Sequence, residues 1–304
     1  MLFAYHEVGY ACISELLALG APIAALFTHH DNPAEEIWWR PCGELASQHG
    51  IPVFTTESFD EAWRLRIAAM QPSIMYSFFY RNLLPEPLLK IAPLGSFNLH
   101  ASLLPKYRGR SPVNWMIING ERQAGVTLHH MVARADAGDI VAQRAIEIAE
   151  DDTALSLYRR LVPLSVSMIR EYHPLIAAGR APRRAQDSSV SSYFGRRRPE
   201  DGRIDWNWPA RRIFNLVRGV THPYPGAFCF VAGRKLIVWE ARVAQDKGKL
   251  AESGRIIRSA DGTIEVAAGE GSLLLLRSQF EGEAETDAVT VLSRAALPVT
   301  QRLE

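Results

Sequence analysis

The chain has 304 residues, long for one domain and short for three, so two domains of unequal size are expected. Hydrophobic residues make up 47% and charged ones 22%, the mix of an ordinary globular protein, and a net charge of +1 gives no whole-chain attraction to nucleic acid or anionic lipid. Cys12, Cys42 and Cys229 are far apart and form no C-x-x-C pair, which excludes a disulfide framework or a zinc ribbon and fits reduced thiols. No apolar run approaches the roughly 18 residues of a membrane span. The start, MLFAYHEVG, lacks a basic leader region and a cleavage site, so the expectation is a cytoplasmic protein without membrane insertion.

The first half alternates strand and helix signals. LFAY (2–5) is a short apolar strand, and ISELLALG (13–20) has helical spacing with a terminal glycine. PIAALFTH (22–29) reads as a second buried strand. Residues 34–49 read as a helix that Pro41 should kink or interrupt, with Trp38 and Trp39 in it. IPVFT, a helix over 59–70, SIMYSFFY (73–80) and GSFNL (95–99) follow. Continuously apolar strands alternating with helices predict a Rossmann-like, mostly parallel sheet with helices on both faces. SPVNWMIING (111–120) predicts a helix capped by Ser111, begun by Pro112 and stopped by Gly120. GVTLHHM and IVAQRAIEI read as strands. Asp152 should cap a long helix with Leu155, Tyr158, Leu161, Leu164, Met168 and Tyr172 on one face, bent at Pro163.

Composition changes over 181–202, where arginine and serine dominate. Beyond it a short helix, PARRIFNLVRGV, leads to strand-and-turn signals, with Asp261-Gly262 marking a hairpin. The expected organisation is a catalytic Rossmann-like domain over 1–188, a linker over 189–203, and a smaller OB-like β-barrel over 204–304.

NLHASLLPKYRGRSP (98–112) holds the densest polar chemistry of the chain, directly after an apolar strand. Open α/β sheets bind ligands outside the carboxyl ends of their strands. Asn98 and His100, two apart on a strand, face one way. An amide N–H and an imidazole there can hold a developing oxyanion and move a proton. A loop histidine satisfied by a backbone carbonyl is the plainer account of His100. VARADAGDIV (132–141) adds Asp136 and Asp139 around Gly138; a carboxylate near His100 would favour imidazolium, whereas D-A-G-D is also ordinary turn chemistry. His29-His30 and His129-His130 point to opposite faces within each pair, so neither chelates a metal by itself, and no metal is expected. YHEVGYA stands where a G-x-G-x-x-G would follow the first strand, so no tightly held dinucleotide is expected.

Taken together, N-x-H-x-S-L-L-P-x-Y-R-G (98–109) and D-A-G, 36 residues after His100, resemble the 10-formyltetrahydrofolate-dependent formyltransferases. The resemblance implies a Rossmann-like domain holding 10-formyltetrahydrofolate as formyl donor, with Asn98 stabilising the oxyanion, His100 handling the proton and Asp136 tuning His100. It implies folate contacts from Asn82, Leu83 and Leu84, from Arg110, and from Val132, Ala133, Arg134 and Ala135. Within the family, length and a β-rich second domain argue against glycinamide ribonucleotide as acceptor. A methionyl-tRNA acceptor would need basic surfaces. Here His29–Glu44 has Asp31, Glu35, Glu36 and Glu44 against Arg40, and Asp205–Glu304 has 13 Lys+Arg against 12 Asp+Glu, so no nucleic-acid partner is expected. FAYHEVG, LFTHHDNP, FYRNLLP, FGRRRPEDGRIDW and PYPGAF resemble the sugar branch, above all enzymes acting on UDP-4-amino-4-deoxy-L-arabinose. That implies a nucleotide-linked amino sugar as second substrate and a fused or separate dehydrogenase/decarboxylase as partner. Arg196–Arg198 has two readings, a pyrophosphate contact or a solvated linker. A non-catalytic binder of folate or sugar nucleotide is the remaining alternative, disfavoured by an intact Asn98, His100 and Asp136.

Overall fold

Every residue of the strands over 2–4, 26–28 and 75–78 is buried, which needs cover on both sides of their sheet. The computed structural model describes residues 1–33, 35–245, 248–294 and 302–304, with the backbone alone at Ser259 and Ala260. In chain order the elements are β1 (Leu2–Ala4), α1 (His6–Ala18), β2 (Leu26–Thr28), α2 (Cys42–Gln48), β3 (Val53–Thr55), α3 (Glu61–Ala69), β4 (Met75–Phe78), α4 (Glu86–Leu89), β5 (Ser96–His100), β6 (Arg108–Gly109), α5 (Pro112–Ile118), β7 (Gln123–His130), β8 (Ile140–Glu147), α6 (Ala154–Ala177) and β9 (Tyr193–Phe194). There follow α7 (Ala210–Val220), β10 (Ala227–Val231), β11 (Arg234–Gln245), β12 (Ile256–Ala260), β13 (Thr263–Ala267), β14 (Ser272–Phe280), β15 (Thr286–Asp287) and α8 (Ala288–Arg294). The chain divides into two units: Met1–Pro112, Gln123–Glu147 and Tyr158–Gly195 form the first, and Val113–Arg122, Ile148–Leu157 and Arg196–Glu304 the second.

The first unit carries a Rossmann-like sheet in the order β3-β2-β1-β4-β5-β7-β8. The first five strands are parallel; β7 and β8 run antiparallel to their neighbours. Phe3, Phe27 and Met75 turn to one face and pack with Ile67 of α3 and Leu88 of α4. Tyr76 turns to the other, its hydroxyl 3.0 Å from His173 Nδ1 on α6. The second unit holds a curled antiparallel sheet, a half-barrel in the order β10-β11-β14-β13-β12 with β15 on β14. Its inward strand residues Val238, Val266, Leu273 and Leu275 pack on Ile213 and Val217 of α7. Arg302–Glu304 bridges the edges: Glu304 exchanges backbone bonds with Phe230, and Leu303 N–H donates to Gly254. The Asp261-Gly262 hairpin forms as expected, both residues at positive φ.

Several local expectations change. The helix expected over 34–49 is only α2, with Pro41 at its N-cap. Trp38 and Trp39 lie outside it, because side chains hold the preceding segment: Asp31 accepts from Tyr5 Oη (2.5 Å) and Trp39 Nε1 (3.2 Å), and Arg40 pairs with Glu7. Ser111 has φ 53°, not the extended backbone of a capping residue. Thr153, rather than Asp152, caps α6: Thr153 Oγ1 accepts the Ser156 N–H, and Ser156 Oγ accepts the Thr153 N–H. The buried stripe of α6 runs through Leu157, Tyr158, Leu161, Ser165, Met168 and Ile169, so Leu155, Leu164 and Tyr172 sit at its margins.

Candidate active site

The antiparallel β5–β7 ladder sets Asn98 opposite His129 and His100 opposite Thr127. After β5 the chain turns through a loop fixed by Thr127, whose hydroxyl donates to Ser102 O (2.6 Å) and accepts from Leu104 N (3.1 Å). The loop returns Tyr107 to His100, where Nε2 donates to the Tyr107 carbonyl at 2.7 Å. It then pairs β6 with β9 in parallel. Gly109, at φ 97°, could carry no side chain there: a Cβ would lie 2.2 Å from Phe194 O. The Gly109 N–H donates to Asp136 Oδ2 at 2.8 Å.

Asp136 lies in the left-handed region, φ 52°, at the start of D-A-G. Gly138 is required by proximity, since an added Cβ would sit 1.9 Å from His130 O. This turn aims Asp136 Oδ1 inward, 3.2 Å from Asn98 Nδ2, 3.4 Å from His129 Nε2 and 3.6 Å from His100 Nδ1. Asp136, remote in sequence, therefore meets Asn98 and His100. One nitrogen of His100 thus serves a backbone carbonyl, and the other faces the carboxylate.

His129 has the same division of labour. Its Nδ1 is 2.8 Å from His130 O, and because a carbonyl only accepts, that nitrogen carries the hydrogen. Its Nε2 meets Asn98 Nδ2 at 3.1 Å. Two buried imidazoles thus each spend one nitrogen on the backbone and aim the other at one carboxylate oxygen. Burial alone would raise the Asp136 pKa. The nearby His100 and His129 imidazoles and the Gly109 N–H outweigh it and hold the carboxyl well below the usual carboxylate range.

The expected folate contacts divide. Leu83 is 72% exposed, whereas Leu84 is buried in the core and offers a ligand only its backbone. Asn82 Nδ2 donates to Glu57 O, and Arg110 reaches Arg81 O at 2.9 Å, which lays Arg110 beside the 82–84 segment. Val132, Ala133 and Arg134 are exposed and Ala135 half-buried, on the loop leading to Asp136. In the second unit, Arg197 lies over Trp115, 4.8 Å from the ring centroid, and burial lowers its pKa, so Arg196–Arg198 is not a fully solvated run. His129 was legible only as half of a doublet considered for metal binding. His129 and His130 do face opposite ways, His130 Nε2 donating to Pro182 O. Among the described residues no group of three or more His, Cys, Asp or Glu could hold a metal ion.

The formyl transferase model matches residues 12–171, and the formyl transferase C-terminal domain model matches residues 197–296. The chain belongs to the formyl transferase family and is a formyl-transferring enzyme. Among solved structures it resembles HypX from Aquifex aeolicus, at 17% identity and TM-score 0.63 over 97% of this chain; this chain spans only 47% of HypX. WlaRD, a sugar 3N-formyltransferase crystallised with dTDP and 5-N-formyl-THF, matches at 18% identity and TM-score 0.68, over 93% of this chain and 97% of its own. The N-formyltransferase of Helicobacter canadensis, in complex with folinic acid and dTDP-3-aminofucose, also matches at 18% and 0.68, over 90% and 97%. At such identities these likenesses establish the fold.

Proposed function

We propose that the chain transfers the formyl group of 10-formyltetrahydrofolate to the 4-amine of a nucleotide-linked amino sugar, UDP-4-amino-4-deoxy-L-arabinose first among them, as a step in lipid A modification and polymyxin resistance. The convergence of Asn98, His100 and Asp136 at the carboxyl end of β5 carries the reading. The neutral amine attacks the formyl carbon; a C–N bond forms and the carbonyl pair moves to oxygen. One Asn98 N–H turns from its internal acceptor to that oxyanion, and the His100 Nε2 hydrogen leaves the Tyr107 carbonyl for it. The ammonium proton is then relayed to N10 of the folate, the C–N10 bond breaks, and tetrahydrofolate and the formamide leave. His100 handles that proton, and Asp136 stabilises the positive charge whenever His100 carries it.

Asn82, Leu83, Leu84 through its backbone, Arg110 and the Val132–Ala135 loop are the proposed folate contacts, of which Leu83, Arg110, Val132, Ala133 and Arg134 are exposed. The nucleotide ligands of WlaRD and the Helicobacter enzyme support a nucleotide sugar as acceptor. Cytoplasmic action and a fused or separate dehydrogenase/decarboxylase belong to the same reading. The test offers 10-formyltetrahydrofolate with UDP- and dTDP-linked amino sugars and detects the formamide by mass spectrometry. UDP-4-amino-4-deoxy-L-arabinose should turn over fastest, and His100→Ala and Asp136→Ala should abolish turnover while circular dichroism stays native. Wild-type rates in either variant sink the triad.

A further inference from the structure

The stretch between α6 and β9 crosses the back of the site, and one of its side chains is fully engaged there. Gln186 Nε2 donates to two carbonyls of the Asp136 turn, Asp136 O at 2.8 Å and Gly138 O at 2.6 Å. Its Oε1 accepts from Arg108 Nε at 3.2 Å and Nη2 at 2.7 Å. Carbonyls only accept and a guanidinium only donates, so these partners fix which end of the amide is nitrogen. Both donors and both acceptor sites of the amide are used.

The connection closes a ring. Arg108, 4% exposed, precedes Gly109, whose N–H holds Asp136 Oδ2. The Asp136 carbonyl returns through Gln186 to the Arg108 guanidinium. The same stretch is fastened to the loop after β5: Ser192 Oγ accepts the Tyr107 N–H (2.9 Å), Ser192 O accepts the Arg108 N–H (2.9 Å), and Phe194 stacks on Tyr107 at 4.8 Å. Asp136 stands in the left-handed region, which costs a side-chain-bearing residue energy unless its surroundings hold it there. Gln186 holds that turn from outside the loop.

We infer that Gln186 is a positioning residue for formyl transfer: by clamping the Asp136 and Gly138 carbonyls to Arg108, it holds the Asp136 carboxylate against His100 and His129. The inference rests on the proposed role of the triad. The charged and titratable groups facing that carboxylate are His100 from β5, His129 from β7 and Arg108 from β6, while the exposed Arg134 on its own loop acts on Arg108.

Gln186→Met keeps length and loses every hydrogen bond. Gln186→Glu keeps the acceptor for Arg108 and loses both donors. Each should lower kcat by about 10²-fold, the cost of a misplacement near 1 Å, with KM for the folate unchanged. In Gln186→Met the Asp136 carboxyl, followed by 13C NMR and assigned with Asp136→Asn, should titrate closer to the usual carboxylate range than in the wild type. Wild-type kcat in folded Gln186→Glu, or an unmoved Asp136 midpoint in folded Gln186→Met, overturns the inference. Should Gln186→Met not fold, the Gln186→Glu rates decide. If the wild type turns over no acceptor, the functional reading fails, and the Asp136 titration still decides whether Gln186 positions the carboxylate.

Discussion

At the residue scale the site is a charge problem solved by geometry. A carboxylate that is mostly buried would ordinarily be driven toward neutrality, yet Asp136 accepts from Asn98 Nδ2 and the Gly109 N–H and has the inward nitrogens of two imidazoles beside it. Its folded pKa therefore lies below its unfolded one, and the sign follows. The stabilisation is present at neutral pH and fades as pH falls through the carboxylate range, below about 4. Asp136→Asn, which cannot ionise, should melt below the wild type at pH 7, and the gap should shrink on acidification. A gap that stays constant down to pH values where the protein still folds would contradict the ion-holding role. Asn98, His100 and Asp136 were legible because their spacing and flanking residue types are distinctive. His129 and Gln186 were not, because each contributes through a cross-strand or long-range contact that leaves no local pattern.

At the element scale, strong periodicity and turn chemistry survived into the structure, and weakly periodic segments did not. The Asp261-Gly262 hairpin and α7 stand where their patterns put them, because a two-residue turn and an amphipathic helix are local solutions. The segment before α2 looked helical, but Pro33 and Pro41 bound it, and Asp31, Trp39 and Arg40 are held by side-chain partners outside any helix. The serine-rich stretch reads as a linker by composition, yet its Tyr193–Phe194 pairs with Arg108–Gly109, a register invisible without the fold. The start of α6 gives a clean test. Thr153 and Ser156 satisfy each other's backbone N–H groups, so Thr153→Ala should cost about 1 kcal/mol and Thr153→Ser much less. Chemical denaturation measures both; equal losses would assign the effect to the Thr153 methyl group instead of its hydroxyl.

At the scale of the whole molecule, charge bears on the choice of acceptor. Thirteen basic against 12 acidic residues over Asp205–Glu304 leave little net field to gather phosphates, so initiator tRNA should bind weakly and with a shallow salt dependence. A steep loss of tRNA affinity between low and moderate salt, measured by filter binding, would return the tRNA reading to first place. The sequence by itself determined the family motif, the alternation of strands and helices, and the change to a β-rich second half, since these depend on residue types at short spacing. Only the tertiary structure decided that β7 runs antiparallel beside β5, bringing His129 to Asn98, and that residues 184–194 return to lock the Asp136 turn. The reason is physical: hydrophobic period and turn chemistry are local, whereas the partner of a buried polar group is chosen by whichever distant segment the packed sheet brings within hydrogen-bonding distance.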